Sequence, residues 1–173
     1  QLPELLAAME GTRFVGEVGL DYSVRDPAML QAQRRVFEAV LAKAEELGGR
    51  VLTVHARRAW DDVISALGSR PASRTILHWY SGDPRQARRA VDRGCLFSVN
   101  TRMIGAPRAV RLLDEVPADR ILLETDGPYI QVDGGPAGPE HLSRIATWIA
   151  TCWSVAVDEA CGRLRDNWSR IAG

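Results

Sequence analysis

Val51-Leu52-Thr53-Val54-His55 is the stretch on which the fold turns. Four apolar or β-branched residues end on an imidazole, with Gly48-Gly49 before them and Arg57 and Arg58 after. Three more segments share the pattern: Phe14-Val15-Gly16-Glu17, Thr75-Ile76-Leu77-His78, and Ile121 to Leu123 running into Glu124-Thr125-Asp126. Short apolar, β-branched runs of this kind suit strands buried on both faces of a parallel sheet. In a parallel β/α barrel all the carboxyl ends of the strands open onto one face, and that face carries the chemistry. The chain has three histidines, and two of them stand at such ends.

Between the strands the punctuation is helical. Leu2, Leu5, Leu6 and Met9 share one face of a helix that Gly11 stops. Asp26-Pro27 is a cap followed by a first-turn proline, and the helix it opens is expected to run to Leu47, with Leu30, Val36, Phe37, Val40, Leu41 and Ala44 on its apolar stripe. Further helices are expected from Trp60 to Leu67, after Asp83-Pro84, from Pro107 to Val116, from His141 to Cys152 and from Asp158 to Ala172. The last should bury Val157, Cys161, Leu164 and Trp168. Cys95 to Asn100 and Arg120 to Thr125 read as strands, and Val132 to Pro139 as a loop. The order is five β-α units and one extra helix, an α/β chain with a parallel sheet. An open five-stranded sheet and a barrel lacking three units both satisfy that order; a complete eight-stranded barrel needs about 250 residues, against 173 here.

Composition narrows the rest. One domain, residues 1–173, fits the length, and 46% hydrophobic residues suffice for a core. The formal net charge is zero, so bulk charge argues neither for nor against nucleic acid. Lys43 is the single lysine among 22 basic residues; arginine grips phosphate with a planar fork, although a GC-rich coding bias is the plainer and favoured explanation of the excess, since arginine also serves ordinary surfaces. Cys95, Cys152 and Cys161 are odd in number and form no CxxC pair, which points to reduced thiols and a cytoplasmic setting. No apolar run approaches the length of a membrane span.

Glu17, His55, His78 and Asp126 have the donor types that two divalent ions about 3.5–4 Å apart require, and Asp126 could also take a proton from an attacking water. Taken singly, each has a plainer use: a turn salt bridge for Glu17, a satisfied half-buried imidazole for either histidine, a turn residue for Asp126. Four matching types at four strand ends are harder to dismiss. Glu124 shares a face with Asp126 at the strand period and is expected to orient a ligand. Arg57 suits phosphate, and Trp79 and Tyr129 suit base stacking, with packing under a loop as the alternative. His141, away from any strand end, reads as a surface residue.

These segments carry a resemblance. Gly16-Glu17-Val18-Gly19-Leu20-Asp21-Tyr22, Val54-His55-Ala56-Arg57-Arg58-Ala59, Leu77-His78-Trp79-Tyr80-Ser81-Gly82 and Leu122 to Tyr129 resemble, in order, the motifs of the TatD family of metal-dependent deoxyribonucleases. Gly48-Gly49-Arg50, His55-Ala56-Arg57-Arg58 and Arg93 to Val99 look most like QatD, the TatD-like nuclease of the Qat anti-phage system. The resemblance implies a TIM-type barrel that hydrolyses DNA, often as a 3′-5′ exonuclease, with Mg²⁺ or else Mn²⁺ or Zn²⁺. It implies a bridging role for Glu17, His55 and His78 as ligands of one ion, Asp126 as ligand and general base, and Asp21 as a supporting group. Possible partners are DNA and other Qat proteins. The family's opening His-x-His strand has no counterpart here, so the expectation is an incomplete barrel without its first three βα units, part of a longer polypeptide that here starts at Gln1. Two rivals stand beside this reading. One is another hydrolase on the same scaffold, such as a D-aminoacyl-tRNA deacylase; the carbamylated-lysine amidohydrolases are disfavoured because Lys43 falls in a helix. The other is a partial barrel that only binds.

Overall fold

A computed structural model describes residues 1–68 and 74–173. The first helix, α1 (Leu2–Ala8), continues as a short 3₁₀ turn, Met9–Gly11. Then come β1 (Phe14–Asp21), α2 (Pro27–Leu47), β2 (Val51–Arg57), α3 (Trp60–Ala66), β3 (Arg74–Leu77), α4 (Pro84–Asp92), β4 (Leu96–Val99), α5 (Pro107–Glu115) and β5 (Ile121–Leu123). A two-residue hairpin, β6 (Gln131–Val132) and β7 (Gly135–Pro136), precedes α6 (Leu142–Trp153) and α7 (Val157–Ala172). The expected loop at 132–139 therefore contains a small antiparallel pair. Strands β1 to β5 form one sheet in chain order, and the pairings β1–β2, β2–β3 and β4–β5 are parallel. Strand order that follows chain order, with a helix in each crossover, is the arrangement of a β/α barrel. The chain is thus an α/β fold with a five-stranded parallel sheet. Among the described residues no helix is long and apolar enough to cross a membrane.

The chain divides into two compact units, residues 1–78 with 88–96, and residues 79–87 with 97–173. In the first, α2 starts as its sequence requires. The Asp26 carboxylate accepts the Ala28 N–H at 3.0 Å, Pro27 occupies the first turn, and Gly48 ends the helix with a positive φ of 62°, which glycine adopts without a Cβ clash. Phe37, Val40 and Ala44 bury against the sheet, but Val36 is 37% exposed and Met29 52%. The stripe is narrower than its periodicity suggests. Val36 and Met29, with Leu5 of α1 and Phe14 and Val18 of β1, line an open apolar groove instead of entering the core.

In the second unit the periodicity of α7 misleads more plainly. Val157 and Trp168 are 42% and 50% exposed, and the buried face is Ala160, Leu164, Asn167 and Ile171. Asn167 sets that face. Its amide donates to the Ala118 and Ile121 carbonyls at 2.7 and 2.8 Å, at the entry to β5. One buried and one part-buried carbonyl gain a donor this way, which favours turning Asn167 inward in place of Val157 or Trp168. A hydrophobic count cannot see an inward-facing asparagine.

Candidate functional site

The local shape of β1 follows from its glycines. Its register against β2 shifts between Val15 and Val18, a bulge of the kind that re-aims side chains near active sites. Past the bulge Gly19 pairs with His55, and a Cβ on Gly19 would lie 1.9 Å from the His55 carbonyl oxygen. Only glycine lets β1 come this close to His55. The approach sets Glu17 and Asp21 beside the imidazole.

Four of the expected residues meet in the first unit. Glu17 Oε1 lies 2.8 Å from His55 Nδ1 and 3.8 Å from His78 Nε2. Asp21 Oδ2 lies 3.9 Å from His55 Nε2. The two imidazoles stand 6.5 Å apart, tilted by 33°. A single carboxylate oxygen thus serves both rings, and the second nitrogen of His55 faces a second carboxylate. His78 is the most enclosed, with 11% of its side chain exposed, and its N–H continues the β3 pairing onto the Val54 carbonyl at 2.9 Å. Burial would raise the Asp21 carboxyl, but the Ser23 hydroxyl and amide, with His55 and Arg57 nearby, hold it below the usual aspartate value. Asp21 therefore stays ionised at neutral pH.

The remaining expected residues lie in the second unit, except Arg57. That arginine is exposed at the end of β2. Asp126 follows β5 with a left-handed backbone, φ 52°. Trp79, φ 41°, follows β3 in the same way, as Arg58, φ 57°, follows β2 in the first unit. Non-glycine residues rarely adopt this conformation, and they concentrate at functional loops. Three strands here leave their carboxyl ends through one. Trp79 is 37% exposed and Tyr129 85%.

Glu124 is more deeply engaged than its sequence position suggests. Oε1 accepts the Trp79 N–H at 3.2 Å and the Asn100 amide at 2.8 Å, and Oε2 accepts the Ser98 hydroxyl. Ser98 and Asn100 are both buried, and Asn100 Oδ1 also receives the Arg102 N–H at 3.1 Å. Sequence reading missed both. The signal was present: Leu96 to Asn100 is another apolar run ending on a polar side chain. His141 is a correction too. It is not a surface group. Its Nδ1 accepts the Gly138 N–H at 3.0 Å and its side chain is 12% exposed, so it closes the turn into α6.

Can the first cluster hold an ion? Among the described residues, no three His, Cys, Asp or Glu side chains stand in a ready-made ligand cage. The donor chemistry nevertheless fits a divalent cation: Glu17 lies beside both imidazoles, Asp21 lies at the other nitrogen of His55, and imidazole and carboxylate are donors such ions take. Lys43 pairs with Glu10 and Glu46, each at 3.0 Å, so it supplies no carbamylated ligand here.

A match to the family described as TatD related DNase runs over residues 1–173. The chain belongs to that family. It is 31% identical over 156 residues to a mouse protein named putative deoxyribonuclease TATDN3, which covers 84% of this chain and 50% of that protein. It is 31% identical over 169 residues to the Salmonella typhimurium 3′-5′ ssDNA/RNA exonuclease TatD, covering 86% of this chain and 64% of that one. Further relatives bear the name uncharacterized metal-dependent hydrolase. The crystal structure of the Escherichia coli TatD homologue YjjV shares the fold, with a TM-score of 0.81 at 24% identity over 96% of this chain and 67% of that one. The chain spans about half the length of the mammalian relatives it matches.

Proposed function

We propose that this TatD-family chain takes part in divalent-metal-dependent hydrolysis of phosphodiester bonds in DNA, with single-stranded 3′ ends as substrate. The observation that carries the reading is Glu17 Oε1 within reach of both His55 and His78, with Glu17 inside β1, His55 near the end of β2 and His78 directly after β3. Glu17, His55 and His78 are the residues that would hold the ion. When bound, a divalent ion lowers the pKa of a coordinated water and neutralises charge developing on the phosphate. Glu17 keeps the two imidazoles facing one point, and Asp21 keeps His55 oriented through its second nitrogen. Arg57 offers a fork to the phosphate, and the exposed faces of Trp79 and Tyr129 offer platforms for bases. Asp126 is assigned the proton from the attacking water; that role rests on its motif, Glu124-Thr125-Asp126-Gly127-Pro128. The left-handed backbone at Asp126 is in keeping with a functional position.

The 3′-5′ polarity is supported by the Salmonella relative's name. A place in anti-phage defence, as in QatD, is supported by the paired Arg57-Arg58 after the histidine and by Gly48-Gly49-Arg50 before β2. Unchanged plaque counts in bacteria with and without the gene would remove that part of the proposal. Cleavage itself is read on 3′-labelled single-stranded DNA and RNA with Mg²⁺ or Mn²⁺. Loss of labelled nucleotide from the 3′ end, stopped by EDTA, is the expected result. Binding of the strand with no cleavage under any divalent ion would favour the binding-module reading. Hydrolysis of a D-aminoacyl ester in place of the phosphodiester would favour a deacylase.

A further inference from the structure

Gln33 lies on α2, outside every motif quoted above, and it holds the end of β1. Along a strand, successive residues direct their backbone groups to opposite sides. The Tyr22 N–H donates to the Arg57 carbonyl at 2.9 Å, so Tyr22 faces β2. Asp21, one residue earlier, directs its amide and carbonyl away from β2, where Gln33 meets both. The Asp21 N–H donates to Gln33 Oε1 at 2.7 Å, and Gln33 Nε2 donates back to the Asp21 carbonyl at 3.3 Å. A primary amide carries the same donor and acceptor as a peptide group, so one side chain reproduces the two bonds that a neighbouring strand would make.

The clamp bears on the candidate site. With its backbone fixed, Asp21 places Oδ1 on the Ser23 N–H at 2.8 Å and on the Ser23 hydroxyl at 2.5 Å. Oδ2 is then directed to within 3.9 Å of His55 Nε2, while Nδ1 of the same ring lies 2.8 Å from Glu17. The chain of contacts runs from α2 to the imidazole with no gap larger than a weak ion pair. We propose that Gln33 is a positioning residue for this cluster, acting through Asp21 to set the orientation of His55. Only the metal arm of the test rests on the function proposed above. Groups that orient metal-ligating histidines typically change metal affinity by about 10–100-fold when removed.

The test compares this chain with Gln33→Ala, Gln33→Glu and Arg34→Ala. Arg34 is the next residue on α2, and its guanidinium bonds Tyr22 and Asp62, not Asp21. Three quantities are read: hydrogen exchange at the Asp21 and Tyr22 amides, the His55 ring resonances without metal, and Mn²⁺ affinity by titration. Gln33→Ala is expected to speed exchange at Asp21 at least tenfold while Tyr22 stays protected. It should also shift the His55 resonances and weaken Mn²⁺ binding about tenfold. Gln33→Glu keeps an acceptor for the Asp21 N–H, so it should fall between wild type and alanine; it carries the same readouts if the alanine variant does not fold. Arg34→Ala should leave the His55 resonances and Mn²⁺ affinity where they are. Faster exchange at Asp21 with unmoved His55 resonances would overturn the proposal and reduce Gln33 to an edge cap. A wild-type chain that binds no Mn²⁺ would sink the metal reading, and the His55 resonances would then decide on Gln33 alone.

Discussion

Two carboxylates of the sheet region, Glu17 inside β1 in the first unit and Glu124 just after β5 in the second, have opposite surroundings. Glu124 accepts three donors, two of them from the buried side chains Ser98 and Asn100. Glu17 has 41% of its side chain exposed and meets two imidazoles through one oxygen, one contact close and one longer. A carboxylate saturated by buried donors fixes backbone and stabilises the fold. One that is partly exposed beside two imidazoles is, on the function proposed above, open to a cation. The same residue type is enclosed by buried donors in one case and left partly exposed beside two imidazoles in the other, and the neighbours decide which.

That contrast can be broken experimentally. The largest effect should come from the Glu17 side. Glu17→Gln and His78→Ala should lower cleavage about 10³-fold or more, the equivalent of several kcal/mol of transition-state stabilisation, with unfolding in urea nearly unchanged. Asp126→Asn should abolish cleavage likewise. Retained cleavage in any of the three would remove that residue from the mechanism.

Glu124→Ala should do the reverse of Glu17→Gln in one respect. It strands the Ser98 hydroxyl and the Asn100 amide, each a buried donor, and should cost about 2–4 kcal/mol of stability. A shifted urea midpoint with unchanged slope is the signature. A stability loss under about 0.5 kcal/mol, the level of an ordinary surface change, would show that the two carboxylates are alike after all.

Asn167→Leu sharpens the point in a helix. It removes the Asn167 donor from the Ala118 and Ile121 carbonyls, the first of which keeps the Ile121 N–H, and should cost about 1–3 kcal/mol, although it increases the apolar count of α7. A more stable variant would mean that hydrophobicity, not the asparagine, sets the buried face.

The smallest effect is electrostatic. Arg144 bonds Asp133 at 2.5 Å and holds its carboxyl below the usual value of 3.8. A depressed folded pKa gives stability that is present above the unfolded pKa and lost as pH falls through the folded one. The pair is exposed, so the melting temperatures of wild type and Asp133→Asn should differ little at pH 7 and converge as the pH drops below about 3.8. A gap that widens on acidification would reverse the sign of this reading.

Much of this was legible in the chain. The strands showed themselves because an apolar run that stops on Glu, His or Asp is a local pattern, although β1 runs on past Glu17 to Asp21 and β2 past His55 to Arg57; α2 showed itself because Asp26-Pro27 and Gly48 are local signals. The gathering of Glu17 with His55 and His78 followed from the expectation of parallel strands alone, since parallel strands put their carboxyl ends on one side. What stayed hidden were the amides and hydroxyls. Ser98, Asn100, Asn167 and Gln33 are polar residues of types common on any surface. Their partners lie 26, 24, 46 and 12 positions away. No periodicity records such pairings, because a hydrogen bond depends on a direction and a distance that exist only after the chain has folded. The sequence by itself determined where the strands lie and which chemical groups they carry. Tertiary structure decided which of those groups are enclosed by donors and which stay partly exposed, because burial and the count of donors around an oxygen are properties of the packed molecule.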